Sequence, residues 1–128
     1  MTRRQSLFLI AAIFVGGGIM HFVVPDRYAS IMPPWIPHPM EMVYLSGVFE
    51  LLGGVGVLVP RARKMAGIGL IALLVAVFPA NVQMLGDALR SGASALSIIG
   101  LFLRLPLQPL MIVWIYRAAV RHPQLRPA

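Results

Sequence analysis

Apolar residues in this chain gather in four blocks, at residues 5–24, 42–59, 65–86 and 95–116, with short polar or proline-rich breaks between them. Each block is close to the roughly 20 residues a helix needs to cross a bilayer core at about 1.5 Å of rise per residue. Backbone groups in hydrocarbon have no water to bond, so each block is expected to be a helix, which bonds its own. The pattern predicts an all-α fold. It would be an integral membrane four-helix bundle, one domain over residues 1–128, with a short basic tail at 117–128.

The breaks support this division. Pro25-Asp26-Arg27 is expected to stop the first helix. The run Pro33-Pro34-Trp35-Ile36-Pro37-His38-Pro39 holds too many prolines for a helix interior and reads as a stiff loop. Ile31, Met32, Trp35 and Ile36 are apolar, which a loop in water would not require. The segment is therefore expected to fold back as a lid over the bundle mouth, with Trp35 at headgroup level. Pro60-Arg61-Ala62-Arg63-Lys64 reads as a tight basic turn, residues 87–94 as a short polar turn, and the tail as frayed.

Composition agrees with a lipid solvent. The chain is 59% hydrophobic and 12% charged, with a mean hydropathy of +0.83. Its net charge of +7 would suggest nucleic acid in a soluble protein, but here the basic residues flank the apolar blocks. They read as topology signals, and no nucleic-acid partner is expected. With four crossings, Arg3, Arg4, Arg61, Arg63, Lys64, Arg117, Arg121 and Arg126 share one side, and Arg27 and Arg90 the other. The positive-inside rule then places both termini in the cytoplasm, in a multi-pass protein of the inner (plasma) membrane. The basic start and apolar run of the N-terminus lack a convincing small-residue cleavage motif, so they read as an uncleaved first helix. The absence of cysteine excludes thiol–disulfide chemistry, iron–sulfur clusters and thiolate metal sites.

The informative residues are polar ones inside the blocks. Glu50 lies mid-span in the second and Arg104 mid-span in the fourth. A charge at that depth costs several kcal/mol unless paired or wetted. Both lie roughly 12–14 Å below the same surface at the helical rise, which predicts an interior Glu50–Arg104 ion pair. His21, Asn81, Gln108 and Ser46 fall in the same half, with Tyr44 at the rim. All four helices would thus contribute to one outward-facing polar cavity. Gly16, Gly17, Gly18, Gly47, Gly53, Gly54 and Gly56 allow close helix approach, and Pro79, Pro106 and Pro109 allow kinks. Each residue also has a plainer role: the ion pair as a register pin, Asn81 and Gln108 as interhelical glue, His21 as a bonded rim residue. His21 and His38 would meet only if the lid folds in. No metal site is expected.

Several segments resemble the DoxX-like family of small membrane proteins. They are Gly18-Ile19-Met20-His21-Phe22, Pro25-Asp26-Arg27-Tyr28, Met32-Pro33-Pro34-Trp35-Ile36-Pro37 and Ser46-Gly47-Val48-Phe49-Glu50-Leu51-Leu52-Gly53-Gly54. Pro60-Arg61-Ala62-Arg63, Val77-Phe78-Pro79-Ala80-Asn81-Val82 and Arg104-Leu105-Pro106-Leu107-Gln108 complete the match, which spans nearly the whole chain in order. The resemblance implies a four-helix membrane bundle with an interior polar site, in a family linked with quinone-coupled sulfur oxidation and membrane oxidoreductase complexes. It implies functional weight for His21, Glu50, Asn81, Arg104 and Gln108. Relatives with cysteines do thiol chemistry that this chain cannot do.

Four functions follow from these residues. The first is a subunit that binds a quinone or similar amphipathic ligand and serves an oxidoreductase partner. Arg104, Asn81 and His21 would donate to it and Glu50 would accept a proton, with Gln108, Ser46, Trp35 and His38 around it. The second is an enzyme using Glu50 and His21 as acid and base on a lipophilic substrate. The third is a transporter subunit, which four helices could form only as a homo-oligomer. The fourth is a structural or assembly partner.

Overall fold

The structure, a computed structural model, describes residues 1–30 and 32–121. The protein is all-helical: α1 (Arg3–Val23), α2 (Pro25–Ser30), α3 (Pro39–Gly56), α4 (Arg63–Ser91), α5 (Ala95–Ile115) and a π-helical turn (Tyr116–Val120). Three helices, Arg3–Val23, Arg63–Ser91 and Ala95–Val120, are long and apolar enough to cross a membrane. Helix α3, which carries Glu41 and Glu50, is the long helix outside that set. Ile31, His122 and Arg126, which sequence placed in the lid and tail, lie outside the described residues.

Local chemistry explains the helix ends. Thr2 and Gln5 form a reciprocal capping box on α1, with the Gln5 N–H donating to Thr2 Oγ1 at 3.1 Å and the Thr2 N–H to Gln5 Oε1 at 2.9 Å. Val24 precedes a proline and leaves the helical region, with φ −129° and ψ 55°. The first helix stops before Pro25, as the sequence suggested, but Pro25 does not start a loop. It begins α2, because a proline at the first helical position loses no helical hydrogen bond. At the far end of α4, the expected polar turn at 87–94 is mostly helix. Asp87 and Arg90 pair across one turn at 2.7 Å, and the helix runs to Ser91 before Gly92 closes it at φ +70°. Ser94 then caps α5 by accepting from the Ser97 N–H at 3.2 Å.

Two halves of the molecule differ in chemistry. In one, Leu7, Ile10, Ala11 and Phe14 of α1 pack with Val57, with Leu70 and Leu74 of α4, and with Ile115, Ala118 and Ala119. Polar ties close this dry end. Arg63 Nε donates to the Val57 carbonyl at 2.7 Å, satisfying an orphan acceptor just past the end of α3. Arg3 Nε donates to the Ala118 carbonyl at 2.9 Å, joining the start of α1 to the π-helical turn. Arg3→Gln should lower stability by about 1–2 kcal/mol, the worth of one charge-assisted bond. Arg4→Gln should change little, because the exposed Arg4 guanidinium makes only a 5.8 Å approach to the Phe8 ring. Thermal unfolding of both variants in mild detergent measures the difference.

Helix packing around the other half is uneven. Helix α1 lies tightly along α3, because Gly18 and Gly47 face one another: a Cβ on Gly18 would sit 2.9 Å from the Gly47 carbonyl oxygen. Helix α4 packs against both α3 and α5. Helix α5 meets α1 at its Ile115 end and through the π-helical turn that continues it, and among the described residues no comparably close backbone approach joins α1 to the rest of the α5 span.

Candidate functional site

The uneven packing leaves a cavity of about 210 Å³ in the half away from the dry core. Four helices supply polar side chains to it: His21 from α1, Ser46 and Glu50 from α3, Asn81 from α4, and Arg104 and Gln108 from α5. Phe14, Leu74 and Val77 make its apolar walls, and Tyr28 and Met32 also line it. Sequence reasoning placed these six polar residues together by depth, and the structure brings all six to one space.

The close α1–α3 contact decides which of them pair. Gly17 has no side chain, and a Cβ there would sit 3.5 Å from Glu50 Oε1. The Glu50 carboxylate fills that space. Its Oε2 lies 3.0 Å from His21 Nδ1, with the two side chains 18% and 13% exposed. His21 Nδ1 also stands 2.7 Å from the Gly17 carbonyl oxygen. Two oxygens that act as acceptors converge on Nδ1, so the proton belongs on that nitrogen, and the N–H is aimed at the nearer carbonyl. Glu50 Oε2 is left in electrostatic contact with the ring but without a full hydrogen bond. Tyr28 stacks on the imidazole at 4.0 Å between ring centres and 18° between planes. The histidine is thus held by its own helix, by α3 and by α2.

This arrangement corrects the expected Glu50–Arg104 pair. Depth along the membrane normal is one coordinate and direction around the helix is another. Helix α5 does not pack against α3, whereas the facing glycines bring α1 within reach. The Arg104 side chain lines the cavity yet remains exposed, and it makes no ion pair or hydrogen bond among the described residues. Gln108 is 8% exposed, and its buried Oε1 also lacks a donor.

Trp35 and His38 do not line this cavity. Trp35 is 64% exposed, and its Nε1 donates to Gln83 Oε1 on α4 at 2.8 Å. That bond carries the proline-rich segment across to α4. His38 stands exposed before α3, held at φ +50° by the start of the helix at Pro39. It therefore cannot join His21, and no group of three or more potential metal-binding His, Cys, Asp or Glu residues occurs among the described residues. Sequence reasoning missed Tyr28 as a site residue. Its signal was Pro25, which can open a helix as readily as close one and so place an aromatic ring one turn later.

Fold and site together define an all-helical protein with membrane-length apolar helices and an interior polar cavity. The chain belongs to the family described as a domain of unknown function (DUF8561), which matches residues 10–119. No curated protein and no solved structure matches it.

Proposed function

We propose that this protein is a membrane subunit that binds a small lipid-soluble, quinone-like molecule in the His21–Glu50–Arg104 cavity and serves a redox partner. The observation that carries this is the set of unmatched polar groups. Among the described residues, Glu50 Oε2 and Gln108 Oε1 are buried acceptors without a donor, and the Arg104 guanidinium is a donor without an acceptor. A buried unsatisfied polar atom costs about 1–3 kcal/mol. A ring bearing a hydroxyl and a second oxygen offers both complements in one molecule. Glu50 or Gln108 accepts from the hydroxyl, and Arg104 donates to the other oxygen. His21 beside Glu50 supplies a place for the proton when such a ring is oxidised or reduced.

The DoxX-like resemblance supports the same ligand class and a four-helix membrane bundle. In that architecture α3 also crosses the bilayer, with Glu50 made tolerable by His21. The basic residues at the dry end support an orientation with both termini in the cytoplasm and the proline-rich loop outside, in a bacterial inner membrane. Electrons come from the partner, since no redox cofactor motif stands in the chain. The 3.0 Å His21–Glu50 pair also favours a second reading, an acid–base enzyme acting on a lipophilic substrate.

Native mass spectrometry of wild type and Glu50→Ala, purified side by side in mild detergent, tests the proposal. The expected result is a small ligand on wild type, absent from the variant, whose mass identifies a quinone-like ring compound. Two bare spectra would shift the weight to an assembly role.

A further inference from the structure

The cavity continues sideways. A second lobe of about 290 Å³ shares His21, Glu50, Asn81, Arg104 and Gln108 with the first, and adds Ile13 and Gly17 of α1 and Leu107 and Met111 of α5. The added residues come from α1 and α5, whose close backbone approach is at the π-helical turn. The lobe is therefore the gap between α1 and α5. Its sill is apolar, with Ile13 48% and Leu107 52% exposed to what would be lipid. Tyr28, stacked on His21, lines both lobes, and Met32 lines the inner one.

Size points the same way. A protein cavity of about 150 Å³ takes a benzene molecule. The inner lobe, about 210 Å³, therefore accommodates a substituted ring but not a long chain as well. Arg104 sits nine residues into α5, about 13 Å along the helix, exposed and without a partner among the described residues. A cation at that depth is tolerable where it borders a polar space. Arg104 lines both lobes, and a long side chain of this kind can cover apolar surface with its stem while offering its donors to a polar group.

We infer that the gap between α1 and α5 is a lateral portal, through which a single-chain amphiphile enters from the bilayer and lodges its ring while its chain stays between Ile13, Leu107 and Met111. This rests on the cavity being a binding site for a quinone-like ring. It adds the route, the chain and the residues at the door.

The test uses two probes with one head group, decylubiquinone and the chainless ubiquinone-0, titrated onto full-length protein in lipid nanodiscs. Leu107→Trp fills the portal. Phe102→Trp, on the same helix, 61% exposed and outside the cavity lining, controls for added bulk. Leu107→Trp should weaken decylubiquinone at least tenfold while changing ubiquinone-0 less than threefold, and Phe102→Trp should change neither. Equal loss of both probes, or loss of neither, with Leu107→Trp overturns the portal but leaves the cavity as a binding site. Failure of wild type to bind either probe overturns the chain-bearing ligand named here. Only bare native mass spectra would remove the cavity reading as well.

Discussion

Gly18→Val should destabilise the protein by about 3 kcal/mol, at the upper end of the usual range for overpacking. A Cβ at Gly18 would meet Leu51 Cγ at 2.8 Å and the Gly47 carbonyl oxygen at 2.9 Å. A leucine can change rotamer, but a helical carbonyl cannot move without moving α3. Gly47→Val meets the mirror problem, since its Cβ would approach His21 Cβ at 2.8 Å and the Gly18 carbonyl at 3.2 Å. Either change must push α1 away from α3, and that separation also breaks the His21–Glu50 contact. Gly16→Ala is the control, because nothing lies within 4 Å of its added carbon. Thermal unfolding in mild detergent should show large drops for the Gly18 and Gly47 variants and none for Gly16→Ala. Equal effects at Gly16 and Gly18 would mean that helix flexibility, not close approach, is what these glycines provide.

His21→Ala should cost about 2–3 kcal/mol, somewhat below the figure for breaking a fully buried ion pair because both side chains retain some exposure. The loss comes mainly from removing the imidazole that stands 3.0 Å from the Glu50 carboxylate, whose Oε2 accepts no hydrogen bond among the described residues. The double replacement His21→Leu with Glu50→Leu should recover most of that stability, since removing both partners leaves nothing polar to strand. A double-mutant cycle by thermal unfolding measures the coupling directly. If the stable double variant carries no ligand in native mass spectrometry, the polar pair is retained for binding. If it still complements the cellular function, the pair serves packing, and a structural role gains.

The apolar blocks determined by themselves where the long helices lie and at what depth each polar residue sits. Helix formation in lipid depends on backbone bonding within one segment, and depth depends only on counting residues at a fixed rise. For that reason His21, Ser46, Glu50, Asn81, Arg104 and Gln108 could be placed in one half of the chain's thickness before any packing was known, and they do share one cavity. Boundaries set by single residues were less legible. Pro25 opens α2 and Asp87–Arg90 extends α4, because the same residue types end a helix in one context and support it in another. Only tertiary structure decided which polar groups touch. Partner choice depends on rotation about each helix axis and on which helices approach closely. The facing glycines of α1 and α3 give Glu50 to His21, while Arg104 lines the cavity beside α5 without a partner among the described residues.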